Sequence, residues 1–394
     1  MKKIFSLILF FYAVTLPILA QGVWTQKADL GGFGRYDAAG FSIGNRGYVG
    51  TGNNGNMLQD FWEWDQATNV WTQQANFGGT GRQGTVSFSI GAKGYIGVGY
   101  DGTMKKDFWE YDPGTNTWSQ KAAFPGTGRV QAVGFSIGTK GYIGGGFDNA
   151  AMKQDFWEWD QANNTWTAIA NFTGAAREGA AGFSIGTKGY LANGFNGSTY
   201  YTDFWMWDQV TNTWSQKAAF PGTTRIDAAA FSIGNSGYVG TGLYGNSTCF
   251  QDHYQYDTTL NAWTQKTSFG GSARHGAIGF SIGTRGYFGT GLAGTYEKDF
   301  WEYDPTAAVN VNEHTTLQTI SVFPNPSQGK FVIQSATSAT KEVLIFSLAG
   351  EKVLSGTYGV ENFAVDLSSE PDGIYFMKIV TASRIIMQKI IIQR

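Results

Sequence analysis

One short stretch, written out six times, constrains this chain more than anything else in it. "WTQKADLGGFGR" at Trp24 returns as "WTQQANFGGTGR", "WSQKAAFPGTGR", "WTAIANFTGAAR", "WSQKAAFPGTTR" and "WTQKTSFGGSAR". Its tryptophans are Trp24, Trp71, Trp118, Trp166, Trp214 and Trp263, 47 to 49 residues apart. Its arginines, Arg35, Arg82, Arg129, Arg177, Arg225 and Arg274, keep the same spacing. A fixed period of that length marks one supersecondary unit repeated, because a single such unit cannot bury its apolar face alone.

Each unit reads as four short strands and no helix. After the arginine, small residues lead into "FSIG" (Phe41 to Gly44 in the first unit), then a tight turn, "GYVGTG" and a loop of variable sequence. "DFWEWD" follows, its alternation placing Trp62 and Trp64 on one face and Phe61, Glu63 and Asp65 on the other. A turn such as "QATN" then leads to the strand of the repeated tryptophan, Asp and Asn being suited to bond their own backbone there. Four strands in each of six units imply an all-β chain with a six-bladed propeller. The ends agree. Trp24 opens a last-type strand with no blade before it, and the sixth unit stops at "DFWEYDP" (Asp299 to Pro305) without a last strand of its own. Joined in one blade, the two fragments close a circle and leave few exposed strand edges.

The "YDPGTNTW" of Tyr111 to Trp118, the "YIGGG" of Tyr142 to Gly146 and the arginine before each following unit resemble kelch repeats, over residues 23 to 305. Most units carry Gly-x-Gly where that family favours a glycine doublet, and the fifth has "DHYQYD" in place of "DFW". Past Pro305 the composition shifts. "TAAVNVNEHTTLQT" (306–319) is short of aromatics and reads as a linker, with His314 in it exposed. Residues 320–394 alternate in strand fashion, as a small antiparallel sandwich does. Their "FPNPSQGKF", "LAGEKV" and "DGIYFMKI" resemble the C-terminal sorting domain (type A) of type IX secretion cargo. That resemblance implies a bacterium of the Bacteroidetes type, recognition by the secretion machinery, and release or attachment at the outer surface.

The first 20 residues set two lysines before an apolar run from Ile4 to Leu19 and end on Ala20, as a signal peptide does. The run is short for a bilayer span and no later segment is long enough, so no transmembrane segment is expected. The expected location is secreted or at the outer-membrane surface, reached through the periplasm. Cys249, the only cysteine, allows no disulfide within the chain and has no cationic setting to activate it. A net charge of -2 with interspersed signs gives no footprint for nucleic acid. Walker, zinc-spaced, calcium-loop and Gly-x-Ser-x-Gly patterns are absent, so neither metal nor cofactor is expected. The chain is expected to act as a monomer.

Function is expected on one face. In a propeller the arginine-bearing loops and the variable loops share a side, and loops on a rigid frame are where binding residues gather. The six arginines, whose forked guanidinium suits carboxylates, are candidate anchors for a glycan or protein ligand, with Tyr100, Tyr200, Tyr244 and Tyr296 as stacking surfaces. The plainer alternative is that arginines present in every unit brace loops. The repeated Asp60, Asp107, Asp155, Asp203, Asp252 and Asp299 read as structural, bonding backbone amides once per blade. The kelch resemblance brings two enzymatic alternatives. Copper-radical oxidases of that kind need a Tyr-His neighbour pair, which is missing here. Sialic acid mutarotases use arginines with an acid/base group, for which Glu178 beside Arg177 is the candidate. The expectation is a binding or adhesion module, with a sugar-modifying enzyme as the alternative.

Overall fold

The computed structural model describes residues 21–307, 320–335, 338, 340–348, 350–381 and 385–394. The segment read as a signal peptide and the linker residue His314 lie outside the described residues. The chain divides into two compact units, between Val309 and Asn310.

In the first unit, β1 (Val23–Lys27) precedes a sheet of β2 (Ala39–Ile43), β3 (Arg46–Gly50), β4 (Phe61–Asp65) and β5 (Val70–Gln74), antiparallel and in sequence order. Sheets of the same order follow within 86–120, 133–169, 181–217 and 229–266, the last with a small added hairpin of Leu243–Tyr244 and Thr248–Cys249. The sixth sheet joins Ile278–Ile282, Arg285–Gly289 and Phe300–Asp304 to β1, with Trp24 opposite Tyr303 and Lys27 opposite Phe300. The six sheets form a closed propeller. Both ends of the repeat region share its last blade.

Each blade is buried on both faces, because each has a neighbour on both sides. The alternation of β4 serves this: Phe61 meets Tyr111 and Trp118 of the next blade, with ring centroids 4.8 and 5.0 Å away, while Trp64 meets Tyr287 and Phe300 of the blade before, at 5.2 and 5.0 Å. The glycine of each "KGY" segment makes room for this close packing. A Cβ at Gly94 would stand 2.2 Å from the Phe41 ring, and one at Gly141 2.3 Å from Phe88.

Hydrogen bonds run from blade to blade all the way round. On the outside, Trp71 Nε1 donates to Ala28 O, Trp118 Nε1 to Ala75 O, and so on to Trp24 Nε1, which donates to Thr267 O. Beside each stands a backbone amide bonded to a turn asparagine, as Ala75 N is to Asn116 Oδ1. At the closing seam the chain ends replace that turn, and Gln21 O accepts from Thr267 N instead.

The second unit packs a sheet of Ser321–Phe323, Lys330–Gln334 and Asn362–Asp366 on a sheet ordered Lys352–Tyr358, Lys341–Ser347, Gly373–Val380, Ile385–Ile392. Alternate residues turn inward, and Phe331, Ile333, Val343, Ile345, Val365, Met377 and Ile379 build its core. It is the expected small sandwich. No helix among the described residues is long and apolar enough to cross a membrane.

Candidate functional site

The arginine ring is not open to a ligand, which corrects the expectation of ligand anchors and favours the bracing alternative. Arg35, Arg82, Arg129, Arg177, Arg225 and Arg274 are each at most 1% exposed. Arg35 shows why: Nη1 and Nη2 reach both carboxylate oxygens of Asp60 at 2.7 Å, Nη1 also donates to Thr51 O at 3.0 Å, and Nε donates to Phe33 O. The pairs Arg82–Asp107, Arg129–Asp155, Arg177–Asp203, Arg225–Asp252 and Arg274–Asp299 repeat it. Aromatic rings cover the flat faces of the other five, as Tyr201 covers Arg177 at 4.0 Å. The repeated aspartates are therefore structural, and besides a backbone amide they hold the arginine of their own unit and, in every blade but the fifth, the indole N–H of the tryptophan two residues on. Burial works to raise the Asp60 carboxyl's pKa, and its bonds to and the charge of Arg35 outweigh that and hold it below the usual carboxylate range.

What does face the channel lies two residues past each arginine: Asp37, Gly84, Gln131, Gly179, Asp227 and Gly276. Each donates its backbone N–H to the carbonyl of the corresponding residue in the preceding blade, at 2.8 to 3.0 Å, so that six bonds close head to tail around the axis. All six have φ between 51° and 61°. In that left-handed region glycine is at ease, Asp is tolerated, and Gln is uncommon. Side chain and glycine alternate for a steric reason. A Cβ at Gly276 would stand 2.5 Å from Asp37 Oδ1, and one at Gly179 2.7 Å from Asp227 Oδ1.

These residues and the alanines and threonine after them line a cavity of about 120 Å³ on the axis. Gln131 Nε2 donates to both carboxylate oxygens of Asp227 at 2.9 Å, and His275 Nδ1 stands 3.9 Å from Asp227 Oδ2. Burial, with the charge of Glu178 second, raises Asp37 to about 7. Burial, then Asp37 and Glu178, raises Asp227 as well, and burial alone raises Glu178. The mouth thus collects three carboxyls whose pKa values burial pushes up. Its signal in the sequence is the alternation Asp-Gly-Gln-Gly-Asp-Gly two residues past each arginine, which the invariant arginine overshadows.

The expected tyrosines sit on the surrounding loops. Tyr244 and Tyr296 are 46% and 42% exposed, and Tyr100 and Tyr200 are half-buried. Tyr200 packs between Phe195 and Tyr244, at 4.4 and 5.0 Å, and Tyr296 stacks on Tyr36 at 6.0 Å. Tyr100 is held by paired backbone bonds to Gln83, and Glu178 likewise to Phe195. Cys249 is half-buried with its thiol pushed up by burial, the opposite of an activated nucleophile. Among the described residues no group of three or more His, Cys, Asp or Glu is placed to hold a metal ion.

Comparison with known proteins identifies the second unit. A family model described as "Secretion system C-terminal sorting domain" matches residues 321–393. This unit is a type IX secretion sorting domain. The chain is accordingly cargo of that system, bound for the cell surface or the extracellular space. The propeller has a counterpart among solved structures in one titled "Structure of YjhT", 16% identical, with a TM-score of 0.61, covering 70% of this chain and 95% of that one. At that identity the likeness shows the propeller fold alone. No curated protein matches the chain.

Proposed function

We propose that the propeller of this secretion cargo is a binding or adhesion module that takes a glycan or a protein on its loop-bearing face. The size of the axial cavity supports this most: about 120 Å³ is far below the roughly 300 Å³ at which ligand pockets usually begin. A sugar or peptide therefore rests on the rim, where Tyr200 and Tyr244 from the fourth and fifth blades and Tyr36 and Tyr296 from the first and sixth offer flat apolar surfaces with polar tips. Charge narrows the ligand class. With the arginines committed to aspartates and no lysine or arginine on the cavity wall, the channel mouth offers nothing to pair with an anionic ligand, and neutral ligands fit it better. A glycan array probed with the full chain should retain neutral glycans over sialylated ones, with capture lowered about tenfold in Tyr244→Ala or Tyr296→Ala, about the loss of one stacking contact. Preference for sialylated glycans would reverse the charge reading.

A second reading, a sugar-modifying enzyme, draws on Glu178, whose carboxyl burial pushes up, and on Asp37, raised to about 7. The acidic sugar implied by the mutarotase resemblance would find no free arginine among the described residues of the propeller. Mutarotation of any sugar captured on the array, abolished in Glu178→Gln with binding intact, is the sign of that activity.

A further inference from the structure

The central ring contains two carboxyls with no counter-charge beside them. The backbone amides of Asp37 and Asp227 are links in the closed cycle of bonds, and their Oδ1 atoms lie against the glycines of neighbouring blades, Gly276 and Gly179. Facing them are Glu178, Tyr36 and His275 from the residues beside the ring, Gln131 from the third blade, and each other. The cavity wall carries no lysine or arginine. The guanidinium groups two residues before each carboxyl, those of Arg35 and Arg225, are committed to Asp60 and Asp252.

We propose that Asp37 and Asp227 are a proton-operated latch on the propeller's central ring, closed when both carboxyls are neutral and loosened when both ionise inside the same small cavity. The latch is independent of what the rim binds. Both groups have pKa values above those of a free aspartate, Asp37 at about 7, through burial first and neighbouring carboxyls second. A carboxyl raised in this way stabilises the folded chain fully below about pH 4, where the unfolded chain is also protonated, and that contribution fades as pH rises through about 7. His275, whose pKa burial lowers, is neutral at the upper end of this window and supplies no balancing charge there. Gln131 remains the donor that holds Asp227 in place.

Amide hydrogen exchange on the full chain tests the latch, with rates corrected for their intrinsic pH dependence. Protection of the ring amides, from Asp37 and Gly84 round to Gly276, should fall about tenfold or more between pH 5 and pH 8, the change that one pKa unit on one group represents. In Asp37→Asn/Asp227→Asn the fall should shrink to the share that Glu178 alone supplies. The outer amide of Ala75, bonded to Asn116, should stay level in both proteins. Equal loss at the ring and at Ala75, a level wild type, or an undiminished slope in the double variant overturns the proposal. Should the double variant fail to fold, Gln131→Glu gives the converse: a further carboxyl must steepen the loss, and an unchanged slope overturns the latch.

Discussion

Trp24 and Tyr303 face each other in register across two strands, one from the beginning of the repeat region and one from its end. Their rings lie 5.0 Å apart, and the Trp24 indole N–H also crosses to Thr267 O of the fifth blade. A single side chain therefore ties the sixth blade together and joins it to its neighbour. Trp24→Ala should lower unfolding free energy by about 3–5 kcal/mol, the usual cost of emptying a buried tryptophan site. Urea denaturation of the full chain measures it, and a loss below about 1 kcal/mol would mean that the closing strand is dispensable.

The buried ion pairs give a different expectation from the one their residue types suggest. Asp155→Asn keeps the shape of the side chain and leaves the Arg129 guanidinium buried without its counter-charge, a change that costs about 3–5 kcal/mol. The folded fraction should bind ligand as before, since Arg129 has no face on the rim. Burial tends to raise the Asp155 carboxyl, but Arg129 and the Trp157 indole outweigh it and hold it below its ordinary value. This pair's contribution is present above about pH 4 and fades as the carboxyl protonates in acid. Reduced ligand affinity at unchanged stability would return the arginines to a binding role.

The six blades and their closure were legible because the repeat gives the unit and the two ragged ends, at Trp24 and Pro305, each supply what the other lacks. The fate of the arginines was legible only as two alternatives, anchor or brace. Arg35 meets Asp60 25 residues on, and in the fifth blade Arg225 meets Asp252 27 residues on, a pairing that only the folded blade creates. Both residues repeat in step, so their partnership could have been guessed, but burial that turns an anion-binding group into a brace is a property of the packed seam. The carboxyls of the channel show the opposite difficulty. Asp37, Gln131 and Asp227 stand out once aligned, yet their meaning depends on a left-handed backbone that the residue types Asp and Gln do not announce.

His253 stands where the other blades carry Phe61, Phe108, Phe156, Phe204 and Phe300. It is fully buried between Trp24, Tyr238, Phe288 and Tyr303, and burial lowers its pKa to about 3. In the folded chain it stays neutral while the unfolded chain protonates near pH 6.5, so stability is lost as pH falls from about 6.5 toward 3. His253→Phe removes that loss. At pH 4.5, two units below the free value, the variant should be more stable by about 2–3 kcal/mol, with a smaller difference at pH 8. Thermal melts at the two pH values measure it; an equal difference at both would mean that packing, not protonation, separates the two residues.

Gly141 and Gly138 lie close in sequence and are glycine for different reasons, which a pair of substitutions can separate. Gly138 turns at φ 59° with open space around its missing Cβ, so Gly138→Ala costs only the backbone preference, about 1–2 kcal/mol. At Gly141 the Phe88 ring of the preceding blade fills the place of a Cβ, and Gly141→Ala overpacks the seam by about 1–3 kcal/mol. The costs overlap, but their remedies do not. Shortening the neighbour in Phe88→Leu should recover part of the Gly141→Ala loss and none of the Gly138→Ala loss, a coupling that a double-mutant cycle in denaturant reads directly. Additive losses in the Gly141 cycle would mean that the blades can move apart to admit a methyl group, and the ring of inter-blade bonds would then be more yielding than its closed geometry implies.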